Sequence, residues 1–287
     1  MNFANKKESG EIAKETFSKL DRLKSILADM GKVLVAFSGG VDSSFLLKVA
    51  RDVLGENIFA VIASSETYPE REREEAARLA KKLNVRFQVI QTKELENPDF
   101  FHNPPERCYF CKTELFTNLK KIADAQGIPY ILDGSNYEDN SDFRPGVKAA
   151  SEFGVRSPLK EVGLVKNEIR QLSRHLDLPT WNKPSMACLS SRFPYYTEIE
   201  PESLKQVARA EEYLKKLGFT QVRVRHHGHI ARVEVEPSEF QKIIDEKTRK
   251  EIIKYFKKLG YIYITLDLAG FRSGSMNEPL RIGKKKP

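Results

Sequence analysis

The chain has 287 residues, 40% of them hydrophobic and 31% charged, with a formal net charge of +8. This composition excludes a largely disordered chain, leaves room for two domains, and favours anionic partners such as nucleotides, phosphorylated metabolites or RNA. Apolar runs are only strand-sized and Met1–Glu8 lacks the apolar core of a secretion signal, so no membrane span and a cytoplasmic location are expected.

Residues 9–30 place Ile12, Phe17, Leu20, Leu23, Ile26 and Leu27 at helical spacing. Strands at 33–37, 58–63, 85–90 and 129–133 then alternate with helices at about 43–54, 69–83, 109–125 and 165–176. Alternation of short apolar strands with helices predicts an α/β fold, a parallel sheet covered by helices on both faces. Past Trp181 the pattern changes. A helix at about 201–217, strands at 221–226 and 229–235, a helix at about 237–258 and a strand at 261–266 predict a small α+β unit. The expected division is 1–195 for the α/β domain and 196–287 for the C-terminal domain. Lys284–Lys286 reads as a solvated tail.

The most specific stretch follows the first strand: Ser38-Gly39-Gly40-Val41-Asp42-Ser43-Ser44. Two glycines permit a sharp turn and close approach to an anion, and the helix N-terminus behind them supplies free N–H groups and a favourable dipole. A kinase-like P-loop would need Lys where Asp42 stands, and a dinucleotide fold would need three spaced glycines. The sequence resembles the PP-loop of the ATP pyrophosphatase superfamily, which grips the outer phosphates of ATP during AMP transfer. Ligands on such sheets sit at the carboxyl ends of strands, which also brings in Ala63 and Gly134. Asp42 is the best candidate among the acidic residues for holding Mg²⁺, ahead of Asp133, Glu138, Asp139 and Asp142. Arg144, in a turn before Pro145-Gly146, is a candidate phosphate contact.

The three cysteines form a C-x-x-C, Cys108 to Cys111, with Cys188 far downstream. A redox pair, a zinc site completed by one of the five histidines, and a three-thiolate 4Fe–4S cluster all compete. Arg223 and Arg225 alternate on one strand and so share a face, suited to a phosphate or carboxylate. Pairing with Glu234 or Glu236 on the next strand is the plainer alternative. His226, His227 and His229 cluster at a hairpin, where solvated turn residues are the default.

Taken together, the PP-loop, the R-C-Y-F-C-K segment at 107–112, D-G-S-N at 133–136, R-P-G at 144–146, A-C-L-S-S-R at 187–192 and R-V-R-H-H at 223–227 resemble the LarE family. The resemblance runs from roughly residue 10 to 275. It implies an ATP-dependent sulfurtransferase that adenylylates a carboxylate of pyridinium-3,5-biscarboxylic acid mononucleotide and converts it to a thiocarboxylate for a nickel-pincer cofactor. Some members give up the sulfur of a single cysteine, matching Cys188. Cys108 and Cys111 depart from that pattern and resemble the variant whose three cysteines hold a 4Fe–4S cluster that delivers sulfur. The resemblance also implies that Ser191, Arg192, Arg223 and Arg225 hold the substrate phosphate and that Glu211, or its neighbour Glu212, binds metal. It implies ATP, Mg²⁺ and the cluster as cofactors, sulfide or another sulfur donor, and a homo-oligomer, with no membrane or nucleic-acid partner. A PP-loop tRNA thiolase, an ammonia-using synthetase and a nucleotide-binding regulator are the rival readings.

Overall fold

The computed structural model describes residues 12–140, 145–184, 187–272 and 274–278. Asp142, Arg144, residues 9–11 and the Lys284–Lys286 tail therefore lie outside the described residues. The chain forms two compact units. One comprises Met1–Ala63, Glu72–Ile90 and Leu115–Ser185; the other comprises Ser64–Arg71, Gln91–Glu114 and Met186–Pro287.

The elements run α1 (Lys14–Met30), β1 (Val33–Ala36), α2 (Val41–Leu54), β2 (Ile58–Ser64), α3 (Glu70–Lys82), β3 (Arg86–Gln91), α4 (Pro98–Phe101), α5 (Arg107–Ala125) and β4 (Tyr130–Leu132). They continue with α6 (Pro145–Glu152), α7 (Pro158–Glu161), α8 (Lys166–His175), α9 (Pro201–Lys216), β5 (Val222–His227), β6 (Ile230–Val235), α10 (Phe240–Ile244), α11 (Glu246–Lys258) and β7 (Tyr263–Leu266).

The first unit carries a sheet in the order β3-β2-β1-β4, with β1 parallel to both β2 and β4. Its Val33-Leu34-Val35 run is fully buried, as a central parallel strand covered on two faces requires. Leu23 and Leu27 of α1 and Phe45, Leu46 and Leu47 of α2 complete that core, each fully buried. Burial of such a side chain contributes about 1.5–3 kcal/mol. Strand order reverses at β1, since β2 lies on one side and β4 on the other, and the β1–α2 loop therefore opens at a switch point.

The second unit carries a sheet in the order β5-β6-β7, an antiparallel hairpin followed by a parallel strand. Its core gathers Ala210 and Leu214 of α9, Val224, Val233 and Phe256. A separate cluster of Phe100, Leu189, Phe193, Ile199, Leu204 and Val207 has Cys111 packed against it.

Two expectations need correction. The helix expected at 237–258 breaks at Asp245, which adopts an extended ψ of 136° and accepts a hydrogen bond from Thr248 N, capping α11. The expected strand at 261–266 begins only at Tyr263. Three short helices, α4, α6 and α7, had no periodic signal; each begins on a proline, whose fixed φ suits the first helical turn. No helix among the described residues is long and apolar enough to cross a membrane.

Candidate functional site

In the first unit, Gly39 has φ +72° and is buried against α3: a Cβ there would stand 2.8 Å from Ala76 Cβ. Gly40 is the N-cap of α2. Ser38 Oγ lies 3.0 Å from Ser43 Oγ, bridging the turn. Gly134, beyond β4, has a packing reason to be glycine, because a Cβ would stand 2.9 Å from Ser43 N. The backbone after β4 thus lies directly on the loop. Ala63 stands near the end of β2 and is half-buried, and Ser44 Oγ is buried without a partner among the described residues.

Asp42 is held from one side only. Its Oδ2 lies 2.5 Å from Lys166 Nζ, while Oδ1 is buried with no partner among the described residues. A carboxylate with an open oxygen beside a phosphate-type loop fits a Mg²⁺ ligand. Asp133 by contrast accepts from Ser135 N, Ser135 Oγ and Ser157 Oγ, which makes it the anchor of its own turn. Lys183 donates to Gly39 O at 3.3 Å and pairs with Glu72 and Glu75 at 2.7 and 3.0 Å.

The three cysteines all fall in the second unit, and no disulfide joins them. Cys108 and Cys111 lie one turn apart in the first turns of α5; Cys188 is the N-cap of a short turn at Leu189–Arg192. Burial pushes the Cys111 thiol well above its ordinary 9.0, and Glu94, Cys188 and Cys108 add to the shift. Among the described residues, no group of three His, Cys, Asp or Glu converges as a metal shell. Three cysteine thiolates are soft donors, a set that fits iron–sulfur by donor chemistry. Glu94 itself is buried; Oε1 accepts from Thr67 Oγ1 at 2.8 Å and Oε2 has no partner among the described residues. The Thr67 carbonyl accepts from Leu189 N at 2.9 Å, which fixes the residue after Cys188.

The arginines also gather in the second unit. Arg192 grips Glu211 side-on, Nε to Oε1 at 2.7 Å and Nη2 to Oε2 at 3.0 Å. Its Nη1 donates to Ser191 Oγ at 2.8 Å and to the Ala187 carbonyl at 3.1 Å. Burial alone would lower the Arg192 pKa, but the Glu211 carboxylate outweighs it and raises it. Arg225 repeats the arrangement with Glu234 at 2.8 and 3.0 Å, and adds Ser191 O and Ser275 Oγ. Glu211 Oε1 also accepts from Val224 N on the outer edge of β5. Glu212 instead pairs with Lys216 on the surface.

Arg223 differs. Its Nη1 donates to Arg272 O at 3.1 Å and its guanidinium lies 4.4 Å from the Phe271 ring centre, with no carboxylate bound among the described residues. Burial and the neighbouring Arg192 and Arg225 push its pKa down to about 10. A positive charge so unfavourably placed is stabilised by an incoming anion. Pairing with Glu234 therefore holds for Arg225, and Arg223 is left with donors to offer. His227 and His229 are exposed, and His226 is buried against Phe193.

Sequence reasoning missed Lys166, Lys183, Glu94 and Arg107. Arg107 directly precedes the C-x-x-C, and that adjacency was the available signal; Lys166 and Glu94 reach their partners only through the fold.

Comparison with known proteins places these features in a family. The NAD synthase family profile matches residues 19–101. An uncharacterized protein of Synechocystis is 45% identical over 92% of this chain and 98% of its own length. The pyridinium-3,5-bisthiocarboxylic acid mononucleotide synthase of Lactiplantibacillus plantarum is 40% identical over 92% of this chain and 95% of its own. A glutamine-hydrolyzing GMP synthase component of Archaeoglobus fulgidus is 26% identical over 65% of each chain. With the PP-loop, the cysteines and the arginine–carboxylate set all inside the aligned span, the chain belongs to the LarE family of PP-loop, ATP-dependent sulfurtransferases.

Proposed function

We propose that this enzyme adenylylates a carboxylate of pyridinium-3,5-biscarboxylic acid mononucleotide and converts it to the thiocarboxylate, with sulfur drawn from a 4Fe–4S cluster on Cys108, Cys111 and Cys188. The observation that carries the reading is the occurrence of a PP-loop and three cysteines together in one LarE-family chain. A carboxylate is a poor electrophile. Its oxygen attacks the α-phosphorus of ATP, pyrophosphate leaves, and the acyl carbon then carries AMP as a leaving group that sulfur displaces.

Ser38, Gly39, Gly40, Ser43 and Ser44 offer N–H and hydroxyl donors to the departing pyrophosphate at the start of α2. Asp42 would hold Mg²⁺ through its open oxygen, and the ion supplies charge neutralisation on the phosphates. Glu211 has both oxygens committed to Arg192, so a metal role there would require that pair to part. Arg223 takes the substrate phosphate, Arg192 and Arg225 hold the surrounding charge, and Ser191 joins them. When bound, the cluster supplies an open iron from which sulfur is delivered. A homo-oligomer, a separate sulfur donor such as sulfide, and domains dividing near residue 195 complete the proposal.

Anaerobic reconstitution with iron and sulfide tests it. The expected result is about four irons per chain, a broad band near about 400 nm, and loss of both with Cys108→Ala. With ATP and sulfide the loaded enzyme yields thiocarboxylate, AMP and pyrophosphate over many turnovers. Thiolation of tRNA with the pyridinium nucleotide inert would overturn the substrate. A single turnover with loss of the Cys188 sulfur would replace the cluster with a sacrificial cysteine.

A further inference from the structure

Arg107, beside the cysteine pair, has no part in the chemistry proposed above. It is 7% exposed, and its Nη1 is buried with no hydrogen-bond partner among the described residues. Nη2 meets the thioether of Met276, a weak acceptor, at 3.7 Å. Its guanidinium lies 5.1 Å from the Tyr195 ring centre, and Tyr195 is itself fixed by a 2.8 Å bond to Asn277. The side chain is therefore held in place with Nη1 buried and unpaired among the described residues and Nη2 facing only a weak acceptor. Arg192 and Arg225 contrast with it, because each has its Nε–Nη2 edge filled by an internal glutamate.

The position is also electrostatically unfavourable. Arg107 opens α5, where the helix dipole is already positive, and a buried cation with no carboxylate on it among the described residues is costly. An anion from outside resolves both problems. The segment that meets Arg107 through Met276 also meets Arg223 through Arg272 and Arg225 through Ser275. One short stretch of chain thus ties Arg107 to the arginines assigned to the phosphate.

We propose that the under-satisfied guanidinium of Arg107 binds the carboxylate of the pyridinium mononucleotide that is not being adenylylated, and so selects a biscarboxylate over a monocarboxylate. The proposal rests on the substrate reading given above. A planar carboxylate matches two parallel guanidinium N–H donors. The phosphate remains with Arg223, so the two anionic ends of one ligand would be read by separate arginines.

Titration calorimetry on the full-length protein without ATP separates the outcomes, with pyridinium-3,5-biscarboxylic acid mononucleotide and nicotinic acid mononucleotide as ligands. Arg107→Gln should weaken the biscarboxylate about ten- to hundredfold and the monocarboxylate less than about twofold. Arg107→Lys keeps the charge, tolerates folding better, and should recover only part of the loss because an ammonium lacks the fork. Equal losses for both ligands, or none, overturn the assignment while leaving the substrate reading standing. If the unaltered protein binds neither ligand, the substrate reading itself falls, and the assignment with it.

Discussion

Lys166 Nζ lies 2.5 Å from Asp42 Oδ2, so a lysine from α8 already occupies one oxygen of the carboxylate proposed above as a Mg²⁺ ligand. The two side chains are partly exposed, at 28% and 20%, which keeps the pair modest in energy. Lys166→Met should therefore tighten Mn²⁺ binding in the absence of nucleotide by about three- to tenfold, measured by electron paramagnetic resonance of free Mn²⁺. Asp42→Asn should instead slow pyrophosphate release by about 10²–10³. Weaker Mn²⁺ binding in Lys166→Met would show that the lysine orients Asp42 and does not compete for it.

Gly134→Ala would drive a methyl group into the Ser43 backbone at 2.9 Å. Neither partner is a flexible side chain, so the change should cost about 1–3 kcal/mol in urea denaturation and raise the KM for ATP. Gly40→Ala is the contrast. Its nearest obstacle is Ser38 Oγ at 3.5 Å and its φ is −77°, so stability should change by less than about 0.5 kcal/mol.

Glu211→Leu should be among the most damaging single changes, because it leaves Arg192 charged, buried and without its carboxylate. A loss of about 3–5 kcal/mol is expected from denaturant midpoints. Arg192→Met together with Glu211→Leu should cost clearly less than the sum of the single changes. Additive losses would mean that the pair is not coupled.

His226 sets a pH dependence. Burial holds its pKa below the ordinary 6.5, with His227 and His229 adding to the effect. The unfolded chain then takes up a proton before the folded one does, so stability is full above about pH 6.5 and declines as pH falls toward the folded-state pKa. The difference in urea midpoint between about pH 7.5 and 5.5 should shrink in His226→Phe, which keeps a ring against Phe193. An unchanged difference would place the acid sensitivity elsewhere.

The legible parts of this protein were those encoded locally. The Val33-Leu34-Val35 strand, the Ser38–Ser43 turn and the C-x-x-C each announce their geometry within a few residues. Alternation on β5 likewise put Arg223 and Arg225 on one face. Which of those arginines is already neutralised depended on Glu234 lying across the hairpin and on residues near 272, nearly fifty positions away. Lys166 reaches Asp42 across 124 positions, and no local pattern marks it. Asp245 went unread because a helix-compatible run hid a cap inside it. Long-range charge pairing, not element type, was what the sequence concealed.

Glu211 has a second consequence through its bond to Val224 N. β5 is an outer strand, and its unpaired amides would be an invitation to another chain's strand. The glutamate covers one of them from within at 2.9 Å. The residue that steadies a guanidinium thus also helps to keep the small sheet from recruiting neighbours, and variants at this position should be watched for self-association in concentrated solution.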